Sequence, residues 1–361
     1  MKKVFAVTAA LALLGLSIAA QADVFNLGPG FTNLETVVVG DPGNVGEISG
    51  AVGAPAEQAP ARVCGSVGYT YNIGKYEVTA AQYTDFLNHK AKASLYGLYN
   101  TYMSMSGSPY GCRIEHTGSK GSYHYSVAIG WANRPVNWIS YWDACRFANW
   151  LNNGQGDGDT ETGAYTLNGY NGDDGREITR NGGAKWFVVS EDEWYKAAYY
   201  RGGGANAGYW DYPTKSDTAP SNAGSDGYAD PGNHANYYKN GYTIGNPYYR
   251  TNVGEFENSG SAYGAFDQGG NLSEWNEAIV LHYGNAYRRG RRGGSFGDGL
   301  EVVGLSASFR DCHAPPTYEG DLLGFRVAYL PDGWQPVPEP SSIIALAGGL
   351  ISLLGIKRRK A

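Results

Sequence analysis

Two carboxylates and a run of turn-forming residues stand together in GAFDQGGNLSEW, residues 264–275. Asp267 and Glu274 bracket Gly269, Gly270 and Asn271. Glycines let the chain turn tightly and present its carbonyls. Carboxylates and carbonyls together are what a hard cation such as Ca²⁺ takes, with six to eight oxygens. The same stretch also reads as a polar turn leading into a strand, with Trp275 in the core. Soft-metal chemistry would need thiolates or imidazoles in register. The four cysteines, Cys64, Cys112, Cys145 and Cys312, show no C-x-x-C spacing, and the six histidines show no zinc spacing. Asp157 and Asp159 open an Asn-, Asp- and Gly-rich run at 153–183. It departs from the EF-hand pattern, because position 12 counted from Asp157 is Asn168 rather than Glu. A surface insertion is the expectation there.

Five ordered motifs carry a resemblance. They are IGKYEVTAAQYTDFLN at 73–88, RPVNWISYWDACRFANWL at 134–151, WFVVSEDEWYKAAYYRGG at 186–203, GAFDQGGNLSEW at 264–275, and RGGSF with GFRVA between 292 and 328. In this order they resemble the formylglycine-generating enzymes, also called sulfatase-modifying factors. The resemblance implies a complex α+β, C-type-lectin-like fold, loop-rich with short helices, as one domain over 69–330. It implies calcium ligands at the Asp267 and Glu274 side chains and the Gly270 and Leu272 carbonyls. A second site would use Asn236 and the Tyr237 carbonyl, but its acidic partner has no match. It also places Arg292, Ser295, Asp298, Arg310, Asp321 and Arg326 around the family's cleft. The other reading of these arginines is structural, bracing a Gly-rich backbone. The further cluster Arg288, Arg289, Arg291 and Arg292 reads either as an anion site or as solvated strand-edge charge.

One departure bears on chemistry. The family's oxidases carry a cysteine pair shortly after R-G-G-S, where two thiolates suit Cu(I), which then handles O₂. Here those positions hold Asp298 and Val303. Neither offers a thiolate, so copper is not expected.

Positioning these residues falls to three short helices and several strands. A strand is expected within 69–78. Thr79 with Gln82 and Ser190 with Glu193 form capping boxes, and Ser140 with Asp143 three residues on opens a further helix. Tyr83, Phe86 and Leu87 fall on one apolar face; so do Ala144, Phe147, Ala148 and Leu151, and Trp194, Ala197 and Ala198. Residues 23–68 read as a lead-in with one β-rich patch at 36–39 and a linker near 50–60.

The chain's 361 residues are ample for a large core, and its 53 glycines and 29 tyrosines argue for much irregular structure. Without Lys2, Lys3, Lys357, Arg358, Arg359, Lys360 and Glu339, 22 basic residues face 33 acidic ones, a net of −11. Such a surface does not seek nucleic acid.

The two ends read as processing signals. Lys2 and Lys3, an apolar run at 4–19 and Ala20-Gln21-Ala22 make a signal peptide, residues 1–22, cleaved before Asp23. Val337-Pro338-Glu339-Pro340, an apolar segment at 341–356 and a basic tail resemble the PEP-CTERM sorting signal, over 331–361. That implies export, transient membrane attachment through 341–356, handling by the export and PEP-CTERM processing machinery, cleavage near Pro338–Pro340, and release to the cell surface or the extracellular space. A plain short anchor is the alternative. As a helix, the segment spans about 24 Å against a hydrocarbon core of about 30 Å.

Four cysteines in an exported chain favour disulfides, with Cys64–Cys112 and Cys145–Cys312 preferred because the first closes the more local loop. Closing a loop of about 50 residues, as the first pair does, contributes about 4 kcal/mol. Four buried thiols are the alternative. The expected function is a non-oxidase family member that binds a glycan, peptide or matrix component through Tyr and Trp, which offer large rigid contact area. The competing expectation is a family enzyme that oxidises a protein cysteine or performs another metal-dependent oxidation.

Overall fold

The computed structural model describes residues 28–50, 59–282 and 286–335. The signal peptide, the stretch 51–58 and the tail from 336, including the apolar segment 341–356, lie outside the described residues. Among the described residues no helix is long and apolar enough to cross a membrane.

Among the described residues the fold is α+β and rich in loops, with three α-helices and several small sheets. Its main sheet has four strands in the order β1 (Thr36–Val39), β4 (Tyr71–Gly74), β11 (Val327–Tyr329) and β7 (Trp186–Val188), all antiparallel. Val37, Ile73, Ala328 and Phe187 form one continuous cross-strand row, and all four are buried. The strand pairing carries the folded unit back to Thr36, ahead of the boundary expected at Tyr69. What looked like a lead-in supplies the edge strand of the central sheet.

All three caps form as the sequence predicts. α1 (Ala80–Lys90), α2 (Tyr141–Asn152) and α3 (Glu191–Tyr199) each open with a complete capping box, at Thr79, Ser140 and Ser190. In each box the N-cap hydroxyl accepts an amide proton, and the side chain three residues on answers from the other side. The expected apolar faces are buried. Tyr83, Phe86, Phe147, Trp150 and Phe325 pack ring against ring at 5.3–6.0 Å between α1, α2 and the strand region. Such aromatic pairs contribute beyond their buried area.

A second sheet holds the functional region. β8 (Ser273–Leu281) pairs antiparallel with β9 (Tyr287–Arg292) and parallel with β10 (Leu323–Gly324). Hairpins β2 (Glu47–Ser49) with β3 (Arg62–Cys64), and β5 (Ile114–Thr117) with β6 (His124–Val127), complete the strands. The 153–183 insertion is more than surface. Ala164, Tyr165, Leu167 and Arg180 from it are buried, and Arg180 bridges Glu193 of α3 and Glu277 of β8 at 2.7 Å each.

Candidate functional site

The 264–275 turn is built from conformations that few residues adopt. Asp267, Gly270 and Asn271 all have positive φ, at 58°, 88° and 54°. Glycine reaches this region without strain, and Asn and Asp tolerate it better than most. At Gly270 space also decides, since an added Cβ would lie 2.2 Å from the Asn236 carbonyl oxygen. That carbonyl accepts from Asn271 N–H at 2.8 Å, and the Asn236 amide donates to Asn271 Oδ1 at 2.7 Å. Gly270 N–H in turn donates to Gly293 O, and Phe296 N–H donates to Asn271 O, each at 2.9 Å. The turn therefore clamps the R-G-G-S-F loop. Trp275 is fully buried, as the strand reading of this stretch requires.

The expected calcium ligands have other commitments. Glu274 takes two hydrogen bonds from Arg326, Nε to Oε2 and Nη2 to Oε1, both at 2.7 Å. Its Oε2 also accepts from Trp194 Nε1 at 2.8 Å. Asp267 Oδ2 accepts from Gly254 N–H at 2.6 Å. Burial pushes the Asp267 carboxyl up to about 6 despite that bond and Arg326. Among the described residues no group of three or more His, Cys, Asp or Glu is placed to hold a metal ion. The donors present fit an internal guanidinium better than an oxygen cage.

The six cleft residues separate into three places. Arg326 lies with Glu274. Arg292 and Arg310 converge on Glu191 instead, at 2.9 and 2.6 Å, all three buried. Arg62 joins them at 2.9 Å from Glu191 Oε2. Burial would raise the Glu191 carboxyl, but Arg292, Arg310 and Arg62 hold it down to about 2. Arg292 spends its remaining donors on the Ala307 and Phe309 carbonyls and Ser49 Oγ. These arginines brace a glycine-rich backbone. Three of the four strand-edge arginines do the same and are buried, while Arg288 is half-buried. Arg289 and Arg291 are buried; the first donates to Gly175 and Ile178 carbonyls at 2.7 Å, and the second pairs with Asp311 at 2.8 Å.

Of the rest, Ser295 is fully buried, and Asp298 and Asp321 are half-buried. Ser295 Oγ donates to Asp298 Oδ2 at 2.9 Å, and Asp298 N–H returns a bond to Ser295 Oγ at 3.2 Å. Burial pushes Asp298 up to about 6, against the Ser295 bond. Val303 sits 53% exposed on the short 3₁₀ turn Glu301–Leu305. The Asp321 carbonyl accepts from Asn137 Nδ2, which also donates to Tyr110 O.

That last bond leads to a feature no motif announced. Tyr110, Tyr242 and Tyr249 surround buried Phe296, with ring centroids 4.7 Å apart for Tyr110–Tyr249 and 5.0 Å for Tyr242–Tyr249. Tyr242 is 41% exposed, and Tyr110 and Tyr249 are half-buried. Buried Arg250 supports the cluster from beneath, donating to Tyr110 O at 2.7 Å and Gly111 O at 3.2 Å. Gly297 joins cluster and loop: a Cβ there would be 3.6 Å from the Tyr242 ring and 3.5 Å from Leu322. The high Tyr count was the one available signal, because loop aromatics have no periodicity.

All four cysteines are free and buried, so the expected Cys64–Cys112 and Cys145–Cys312 pairings are not formed. Their neighbourhoods explain this. Cys64 and Cys312 both lie in the field of Glu191 and Arg310, whereas Cys112 faces Arg250 and Cys145 faces Arg289. Burial pushes the Cys312 thiol up to about 11.

Residues 31–330 match the family described as "Sulfatase-modifying factor enzyme 1-like domain". Similar solved structures include Treponema denticola variable protein 1, with 18% identity over 83% of this chain and 96% of that one, at a TM-score of 0.46. The structure titled CarF shares 19% identity over 82% and 98%, at 0.47. PvdO from Pseudomonas aeruginosa shares 21% over 82% and 94%, at 0.44. No curated protein matches the chain.

Proposed function

The chain belongs to the sulfatase-modifying factor family over residues 31–330, and from that premise we propose that it is an exported, non-oxidase member that binds a glycan or peptide on its tyrosine cluster. The observation that carries this reading is a partly exposed tyrosine cluster packed around Phe296, two residues before Asp298, in the loop where the family's oxidases hold their thiolates. Asp298 is a hard oxygen donor bonded to Ser295, and Val303 is no ligand. The four sulfurs are buried elsewhere. Tyr242, Tyr249 and Tyr110 offer flat apolar faces with hydroxyl rims, which suit sugar rings or peptide side chains. Asp298, which follows Gly297 at the Tyr242 ring, supplies an acceptor or, when protonated, a donor. The C-type-lectin-like topology and the release of the chain by PEP-CTERM processing belong to this same proposal.

A glycan and peptide binding panel tests it. Wild type is expected to show saturable binding that Tyr242→Ala weakens at least tenfold. Given Cu(I), O₂, a reductant and a sulfatase-type cysteine peptide, the protein is expected to form no formylglycine. Repeated turnover in that assay would replace this reading with the enzyme one. Intact mass from the native host checks export, with a chain beginning at Asp23 and lacking Lys357–Lys360 expected.

A further inference from the structure

Away from the tyrosine cluster, an open groove of about 670 Å³ lies between the start of α1, the segment before β1 and two loops. Small-molecule sites typically run to about 300–1,000 Å³. The lining mixes side-chain amides with a modest apolar wall. Asn133 is exposed, and Asn252, Tyr76, Ala81 and Val253 are half-buried. Among the described residues neither end of the Asn133 side-chain amide is bonded. Asn252 Nδ2 donates only at 3.3 Å to Glu255 Oε2, and among the described residues its Oδ1 accepts nothing. The Gln82 amide, by contrast, is spent: Oε1 accepts Thr79 N–H at 2.9 Å and Nε2 donates to Asn33 O at 2.7 Å. A side-chain amide carries both a donor and an acceptor, so Asn133 and Asn252 offer both kinds of partner.

The rest of the lining narrows the occupant. A charged ligand finds no open counter-charge there: Glu35 pairs with Lys75 at 3.0 Å, and Glu77 is buried and accepts from Leu272 N–H. A peptide that adds a strand needs a row of unpaired main-chain groups. Those at the groove are paired within the protein. Lys75 N–H donates to Glu35 O at 2.9 Å, Ala81 N–H to Ala132 O at 3.0 Å, and Val253 N–H to Asn133 O at 2.8 Å. The last of these bonds also holds the two open amides close together, since Asn252 precedes Val253. What the groove offers is therefore neutral: amide donors and acceptors beside half-buried apolar surface.

We propose that this groove binds a neutral saccharide, with Asn133 and Asn252 exchanging hydrogen bonds with adjacent ring hydroxyls and the C–H face of the sugar lying against Tyr76, Ala81 and Val253. A hydroxyl, like an amide, both donates and accepts, whereas an ammonium only donates and a carboxylate only accepts. Neighbouring hydroxyls therefore satisfy both ends of an amide. The C–H face of a pyranose is apolar, so laying it on half-buried side chains removes apolar surface from water. The groove shares no lining residue with the tyrosine cluster, and the site stands whatever that cluster binds.

The experiment is calorimetric titration of the full chain carrying Tyr242→Ala, which takes the tyrosine cluster out of the measurement. The probes are cellotriose, maltotriose, cellotriuronic acid and N-acetyl-trialanine amide. Saturable binding of at least one neutral trisaccharide is expected, at least tenfold tighter than that of the acidic trisaccharide or the peptide. Adding Asn133→Ala should weaken it at least fivefold with the melting temperature unchanged, because that amide holds nothing in the fold. Adding Ala81→Leu, which fills the groove from a half-exposed helix position, should weaken it at least tenfold. Binding lost on Tyr242→Ala alone belongs to the tyrosine cluster; binding lost on the groove variants belongs here. No saturable binding of either neutral trisaccharide, equal binding of cellotriuronic acid or of the peptide, or full binding by the Asn133→Ala or the Ala81→Leu variant would each overturn the proposal.

Discussion

The buried ionic framework and the tyrosine cluster are built from residues only a few positions apart, yet they behave as opposites. Arg292 and Ser295 share one loop. The arginine turns inward to Glu191 and is 1% exposed, while Phe296 and Gly297, just past the serine, meet the tyrosine cluster whose Tyr242 is open to solvent. In the first region the charges pair with one another or with backbone carbonyls, and they are spent on holding irregular backbone. In the second, polar groups and flat rings are left available. The lesson is that charged residues in a family's cleft motif are not thereby ligands for a substrate. In a loop-rich chain the backbone carbonyls need donors, and arginine supplies five.

Breaking the framework should have the largest effects. Arg326→Met leaves Glu274 buried without its cation, next to Asp267 and Glu77. Removing one partner of a buried pair costs about 3–5 kcal/mol, against a typical total of about 5–15 kcal/mol. Urea unfolding should show that loss or a chain that does not fold. A loss below about 1 kcal/mol would place the pair outside the framework.

Glu191→Gln should come next, at about 3 kcal/mol, because three arginines lose a shared carboxylate. It also carries a pH signature. The folded carboxyl is held at about 2, below the value of about 4.3 in an unfolded chain. Its stabilisation is therefore full above about 4.3 and is lost as pH falls toward 2. Wild type should weaken through that window, and the variant should weaken less.

Tyr242→Ala tests the other side of the comparison. It should change stability by about 1 kcal/mol at most while weakening glycan or peptide binding at least tenfold. Equal loss of both would make the cluster part of the core.

Asp298→Asn should have a smaller effect, opposite in sign with pH. Its folded carboxyl lies at about 6, above the unfolded value of about 3.9, so the wild-type residue costs stability as pH rises through that range. The variant should gain slightly on wild type at pH 7 in paired melting curves.

Chelation should do least. With Arg326 as the counter-charge, EDTA leaves the melting temperature unchanged. A fall that Glu274→Gln abolishes would assign calcium the role instead, since a ligand bound only to the folded state raises its stability.

The local rules were legible without coordinates. Thr79 with Gln82, Ser140 with Asp143 and Ser190 with Glu193 determine three helix starts, because capping is a contact over three residues. The inward faces of those helices follow from their 3.6-residue period. The five ordered motifs carried the family, and the α+β, loop-rich class came with it. Tertiary structure alone decided where each long side chain ended. Arg292 and Glu191 are 101 positions apart, and Arg326 and Glu274 are 52 apart. Nothing in spacing says whether a guanidinium meets a substrate or a carboxylate. The same holds for Tyr110, which joins Tyr242 and Tyr249 of another loop at Phe296, and for Glu77, which meets Leu272 N–H from 195 positions away. Hydrogen bonds and ring contacts are satisfied over a few ångströms, and in a chain with this much irregular backbone only the folded path brings their partners that close.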